Sequence, residues 1–128
     1  MNYDLIEKLS GVEQLEFDLK DVNPEFVAIV EKLISVHAGK SLLYGDYIDN
    51  RDEKDSVAIF EHYNDIKRKF IRVENFYTRT VIGEQVDIKE LIDTYTDLAV
   101  YSILGLQLIF HIMEKDNAQR ADDGAEKE

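Results

Sequence analysis

The sequence predicts an all-α helical bundle, with three main helices and a short helix at the N-terminus. Three observations lead there. The 128 residues include one proline and six glycines, so helix breakers are scarce. Apolar residues make up 45% of the chain and recur at steps of three and four. The periodic segments span roughly 15, 23 and 26 residues with short connections between them, the pattern of helices packed on helices.

Residues 3–10 can form a short helix on Leu5, Ile6 and Leu9. Residues 12–19 alternate (Val12, Leu15, Phe17, Leu19) and stay open between strand and loop. Asn23-Pro24-Glu25 is a helix start. Asn caps free backbone N–H groups, Pro suits the first turn and Glu complements the helix dipole. Phe26, Ile29, Val30, Leu33 and Ile34 follow at helical spacing, and Gly39 is expected to end this helix. Lys40 to Asp55 is polar and turn-rich and reads as a connecting loop.

A second helix is expected from about Ser56 to Thr78. At 100° per residue its Ile59, Tyr63, Ile66, Phe70, Val73 and Tyr77 share an arc of roughly 80°, which reads as a core stripe. After a loop at Gly83, a third helix should run from about Asp87 to Met113. It is apolar on nearly every side, so it reads as the central element. Residues 1–113 thus form one domain. The acidic tail, 114–128, lacks apolar periodicity and is expected to be disordered. A helix apolar all round has too few partners within one chain, so a homo-oligomer is expected.

Composition narrows the chemistry. Without cysteine there are no disulfides, thiolate metal sites or cysteine nucleophiles. Fifteen Lys and Arg against 27 Asp and Glu give a net charge of −12, which repels phosphate backbones and anionic membranes. Neither a nucleic acid polymer nor a membrane is an expected partner, unless the protein mimics DNA. The opening MNYDLIEKL has no basic start or long apolar run, so no secretion signal is expected. The apolar run Leu98–Met113 falls short of the ~18–20 residues of a membrane span. The reading is a soluble, cytoplasmic protein. The three histidines do not share metal-ligand spacing, and no GxSxG elbow occurs.

The sharpest feature is on the third helix. Glu90, Asp93 and Asp97 fall within about 60° of one another and continue into the stripe Tyr101, Leu104, Leu108. Carboxylates at the mouth of a core need cations. Two readings stand: Mg²⁺, held by one or two carboxylates plus phosphates, or salt bridges to Lys and Arg of a neighbouring helix. The second helix carries a basic island, with Lys67, Arg68, Lys69, Arg72 and Arg79 against Glu61, Asp65 and Glu74. Lys69, Arg72, Asn75 and Phe76 share a polar arc of about 120° that suits a small polyphosphate. Its bland alternative is a solvated face laced by Glu61–Asp65–Lys69 and Asp65–Arg68 pairs, which Arg68 and Arg79 fit best. The loop containing Lys40, Tyr44, Gly45 and Asp46 offers a turn where backbone can approach a ligand.

Lys69-x-x-Arg72-x-x-Asn75, followed by Asp93-Thr94-x-x-Asp97-Leu98-Ala99-x-Tyr101, resembles the nucleotide modification associated domain family of phages and bacteria. Lys40 and Tyr44-Gly45-Asp46 fit the same pattern, and the resemblance covers roughly residues 38–110. That family is similar in turn to the all-α MazG-like nucleotide pyrophosphatases and their dimeric dUTPase-like relatives. The resemblance implies a MazG-like, oligomeric bundle, a homodimer or homotetramer, that splits a (deoxy)nucleoside triphosphate or related nucleotide into monophosphate and pyrophosphate with Mg²⁺.

On that reading Asp93 and Asp97 hold the metal, with Glu90, Glu61 or Asp65 supplementing them. Lys69 and Arg72 neutralise phosphoryl charge. Lys40, Tyr44, Asp46, Asn75 and Tyr101 contact the nucleotide. The second helix departs from the pattern, because it offers Glu61 and Asp65 at i,i+4 in place of an ExxE motif. Two alternatives follow: a non-catalytic nucleotide- or partner-binding module on the same scaffold, and an acidic inhibitor that mimics DNA.

Overall fold

The computed structural model describes residues 18–44 and 54–126; the short N-terminal helix expected at 3–10 lies outside them. A single 3-10 turn, Leu19–Asp21, precedes three helices: α1 (Pro24–Tyr44), α2 (Asp55–Val81) and α3 (Ile88–Glu126). Ninety per cent of the described residues are helical and none is in a strand, so the all-α expectation is met.

The helix ends follow local chemistry. Asn23 caps α1, its Oδ1 accepting from the backbone N–H of Glu25 at 2.9 Å and of Phe26 at 3.4 Å. Asp87 opens α3 in the same way, accepting from Lys89 N–H at 2.9 Å. At the C-terminal end of α2, Gly83 takes the left-handed conformation (φ +86°). Glu84 N–H then reaches Arg79 O at 3.0 Å and Gly83 N–H reaches Thr80 O at 3.1 Å, the paired bonds of a Schellman stop.

Two boundaries differ from expectation. α1 does not stop at Gly39 but continues to Tyr44. A glycine in a helix costs only about 1 kcal/mol, and continuing the helix carries Lys40 to an ion pair with Asp97 on α3. Residues 45–53 of the expected loop lie outside the description. α3 likewise runs on past Met113 through the charged segment to Glu126, where a disordered tail was expected. Missing apolar periodicity removes packing, not helicity: Ala118, Gln119, Arg120 and Ala121 are good helix formers. Lys115 ties the start of this extension to Asp55 of α2, and Gln119 bonds Asp123 one turn on.

α2 and α3 form an antiparallel hairpin, with Asp55 opposite Lys115, His62 opposite Tyr101 and Lys69 opposite Asp97. Ala58, Leu104 and Leu108 are its buried apolar centre. α1 leans on α3 more lightly, leaving an apolar groove of about 530 Å³ between Val30, Leu33 and Ile34 on one side and Val100, Ile103 and Phe110 on the other. The stripe expected to be core on α2 is covered only in part: Ile66 and Val73 are half-buried, while Ile59, Tyr63, Phe70 and Tyr77 remain exposed. The side of α2 that meets α3 is centred instead on Ala58, His62 and Lys69. α3 is central in position, between α1 and α2, yet Ile88, Ile92 and Tyr95 on its far side are open.

The helix continues on both sides of the apolar run Leu98–Met113. As a result, the stretch Ile88–Gly124 is long and apolar enough, by length and composition alone, to cross a membrane. Asp93 and Asp97 lie inside that stretch, and Asp97 is tied to α1 and α2 as in a bundle helix.

Candidate functional site

A cavity of about 390 Å³ opens between α2 and α3, next to the Gly83 turn that joins them. Arg72, Asn75, Phe76 and Arg79 wall it from α2, at steps of three and four that put them on one helical face. Glu90, Leu91, Asp93, Thr94 and Asp97 wall it from the first turns of α3. Phe76 and Leu91 give it an apolar patch. Thr94 is buried at 6% exposure, and its hydroxyl is satisfied by donating to Glu90 O at 2.8 Å.

The charges around this cavity divide into committed and uncommitted groups. Asp97 is committed. Its Oδ2 lies 2.8 Å from Lys69 Nζ, and its Oδ1 lies 3.3 Å from Lys40 Nζ. Burial pushes the Asp97 carboxyl up, but the Lys69 hydrogen bond and the positive fields of Lys69 and Lys40 outweigh it and hold the group below the usual carboxylate value. Arg79 is committed as well, its Nε donating to Glu84 at 2.9 Å. Among the described residues, Arg72, Glu90 and Asp93 make no ion pair. Opposite charges therefore face one another across the cavity without closing it.

The sequence-derived residues separate accordingly. Arg72, Asn75, Glu90, Asp93 and Asp97 come together in one cavity. Lys69 and Lys40 stand beside it, on Asp97. Tyr101 is one turn further along α3, where its carbonyl accepts from His62 Nε2–H at 2.8 Å, and it does not wall the cavity. Glu61 and Asp65 do not wall it either, and Asp65 accepts from Arg68. Tyr44 is the last residue of α1, and Asp46 lies outside the described residues. Arg79 reads from the sequence as a solvated-face residue. It lies two turns beyond Arg72 on the same face, a spacing the sequence already contained.

For a metal, the described residues offer no group of three or more His, Asp or Glu. The pair Glu90 and Asp93, one turn apart and both uncommitted, fits the way Mg²⁺ is held, by one or two carboxylates with waters and substrate phosphates completing the shell. Asp97 would first have to give up two ammonium groups.

Asp97 makes a prediction for acid. Its folded pKa is depressed below 3.8, so its contribution to stability is fully present above that value and is lost as pH falls through the lower, folded one. The difference in melting temperature between the wild type and Asp97→Asn should be constant from pH 7 to about 5 and shrink below about 4. Parallel melting curves down to pH 2.5 would show that the lysine clamp carries no stability.

No protein-family model, no curated protein and no solved structure matches this chain.

Proposed function

We propose that the cavity between α2 and α3 binds a nucleotide through its phosphates together with Mg²⁺, and hydrolyses a (deoxy)nucleoside triphosphate to monophosphate and pyrophosphate. The observation that carries this reading is the uncommitted Arg72 facing the uncommitted Glu90 and Asp93 across about 390 Å³. An arginine that needs an anion and a carboxylate pair that needs a cation are both satisfied by one ligand, a metal-bound phosphate. The volume lies within the ~300–1,000 Å³ of small-molecule sites.

Glu90 and Asp93 would hold the Mg²⁺, which when bound polarises phosphate oxygens and lowers the pKa of water. Arg72 grips phosphate oxygens with its planar guanidinium and offsets the charge that builds on them. Asn75 supplies amide hydrogen bonds at the sugar or base, and Phe76 and Leu91 give the base an apolar surface. The lysine-clamped Asp97 forms a fixed inner wall, and Lys69 extends the positive field toward the phosphates. In hydrolysis a water oxygen bonds to the α-phosphorus, the bond from that phosphorus to its bridging oxygen breaks, and pyrophosphate departs. The water's proton passes to solvent.

A second reading, a nucleotide-binding module without turnover, draws on the double lysine pairing of Asp97, which leaves two carboxylates for metal. The DNA-mimic reading is weakened because Glu90, Asp93 and Asp97 gather around one cavity and are not spread over the surface. The test is to incubate the full chain with Mg²⁺ and a panel of nucleoside and deoxynucleoside triphosphates. The expected result is Mg²⁺-dependent release of pyrophosphate. Calorimetric binding without release would select the second reading. Neither binding nor release with any of them would defeat both.

A further inference from the structure

The groove between α1 and α3 is lined mainly by hydrocarbon, Val30 and Ile34 on one side, Ile103 and Phe110 on the other, with the buried Leu104 between them in sequence order on α3. Ile34 and Ile103 are 64 and 58% exposed, so much of that hydrocarbon still meets water. The two ends of the groove differ. Three residues beyond His37 of α1 stands Lys40, and three before Val100 of α3 stands Asp97, so helical period carries both groove faces into the Lys40–Asp97 pair at 3.3 Å. His37 lines this end, its Nε2 lying 3.4 Å from Ser41 Oγ. At the opposite end α3 contributes Phe110, and the α1 face continues from Val30 to the exposed Phe26.

The polar end holds one positive charge in surplus among the described residues, because Asp97 takes both Lys40 and Lys69. Lys69 is the closer of the two, at 2.8 Å, and the more sheltered, with 18% of its side chain exposed against 57% for Lys40. Lys40 is therefore the cation that Asp97 can release at the lower cost.

We propose that this groove binds a single-chain fatty carboxylate, its alkyl chain along the groove and its carboxylate on Lys40. Volume is the first reason. From Val100 to Phe110 the groove runs about 15 Å, and a helix about 10 Å across occupies about 1,200 Å³ over that length. That is more than twice the 530 Å³ present, which lies in the range of small-molecule sites. Polarity is the second. One charged end on an otherwise apolar trough has the layout of an amphiphile, whereas a wholly apolar ligand would gain nothing from Lys40. Charge sign is the third. The net −12 of the chain is screened beyond about 8 Å in physiological salt, so the local surplus cation decides, and it favours a carboxylate. The groove is walled by α1 and the nucleotide cavity by α2, so the two proposals fail independently.

The experiment titrates dodecanoate, below the concentration at which it forms micelles, into the full chain and follows binding by calorimetry. Saturable one-to-one binding is expected, weakening about two- to fourfold for each CH₂ removed on the way to hexanoate. Dodecanol and dodecyltrimethylammonium should bind about three- to tenfold more weakly than dodecanoate. Lys40→Gln should weaken dodecanoate by a similar factor and leave dodecanol unchanged. Ile34→Glu and Ile103→Glu, both at exposed positions, should each abolish binding while the helical circular dichroism is kept. Absence of saturable binding, equal affinity for the carboxylate, the alcohol and the ammonium, or binding that survives both glutamates would each overturn the proposal. A chain that binds none of the three, yet melts at a lower temperature with either glutamate, would overturn it in favour of a protein segment in the groove.

Discussion

Mg²⁺-dependent pyrophosphate release should fall by about two to three orders of magnitude when Arg72 is replaced by alanine, the usual range for losing one preorganised charge-stabilising group. The expectation rests on how the cations are distributed. Lys40 and Lys69 are both spent on Asp97, and Arg79 is spent on Glu84. Of the basic side chains walling the cavity, that leaves Arg72 to meet an incoming phosphate without first breaking a pair.

Its exposure and lack of an ion pair also mean that little stability is lost, within about 0.5 kcal/mol for a surface change of this kind. An unchanged melting temperature beside lost turnover is therefore the signature. Arg72→Lys should recover part of the rate, because it keeps the charge but not the two-pronged grip. Asp93→Asn and Glu90→Gln should weaken the Mg²⁺ dependence and leave nucleotide affinity measured without metal nearly intact. Full activity in Arg72→Ala would remove the cavity from consideration. Loss of binding with no turnover in the wild type would instead identify a binding module.

The parts of this site that were legible in the sequence are those set by helical period. Arg72 and Asn75 are three apart and Glu90, Asp93 and Asp97 span two turns, so a face was readable before any packing was known. Asn23, Gly83 and Asp87 were equally readable, because caps and left-handed turns are settled within a few residues. What depended on a distant partner was not. Lys40 reads as a loop residue until α1 is seen to continue through Gly39 and deliver it to Asp97. Lys69 has the spacing of a phosphate ligand, yet its nearest anion is that same carboxylate.

The heptad stripe of α2 shows the limit most clearly. Periodicity establishes that Ile59, Tyr63, Phe70 and Tyr77 share a face, but it carries no information on whether the same chain covers that face. Here α3 takes a different side, one built of Ala58, His62 and Lys69. Glu61 and Asp65 follow the same logic: their spacing is helical, but they lie away from the cavity.

The reason α3 sits where it does predicts the largest change in stability. Gly105 of α3 lies directly against the His62 ring of α2. A Cβ placed there would lie 2.5 Å from His62 Cε1 and 2.8 Å from His62 Nε2. The ring is not free to swing away, because its Nε2–H donates to Tyr101 O at 2.8 Å, one turn back on α3. Gly105→Ala therefore either costs that hydrogen bond, about 0.5–1.5 kcal/mol, or forces the helices apart beside Ala58, Leu104 and Leu108, an overpacking cost of about 1–3 kcal/mol. Against this stands the intrinsic preference of a helix for alanine over glycine, about 1 kcal/mol. Where the ring is held and the helices are forced apart, packing outweighs that preference: overpacking of about 1–3 kcal/mol less about 1 kcal/mol leaves a net loss of up to about 2 kcal/mol, a fall of up to several °C in melting temperature.

The opposing terms also give the control. With His62→Ala in place the obstruction is gone and only the helix preference remains, so adding Gly105→Ala there should raise stability by about 1 kcal/mol. Denaturant melts of the four proteins measure the sign reversal directly. If Gly105→Ala shifts stability by the same amount with and without the imidazole, His62 is not what keeps position 105 free of a side chain, and the close crossing of α2 and α3 that places Arg72 opposite Glu90 and Asp93 needs another cause.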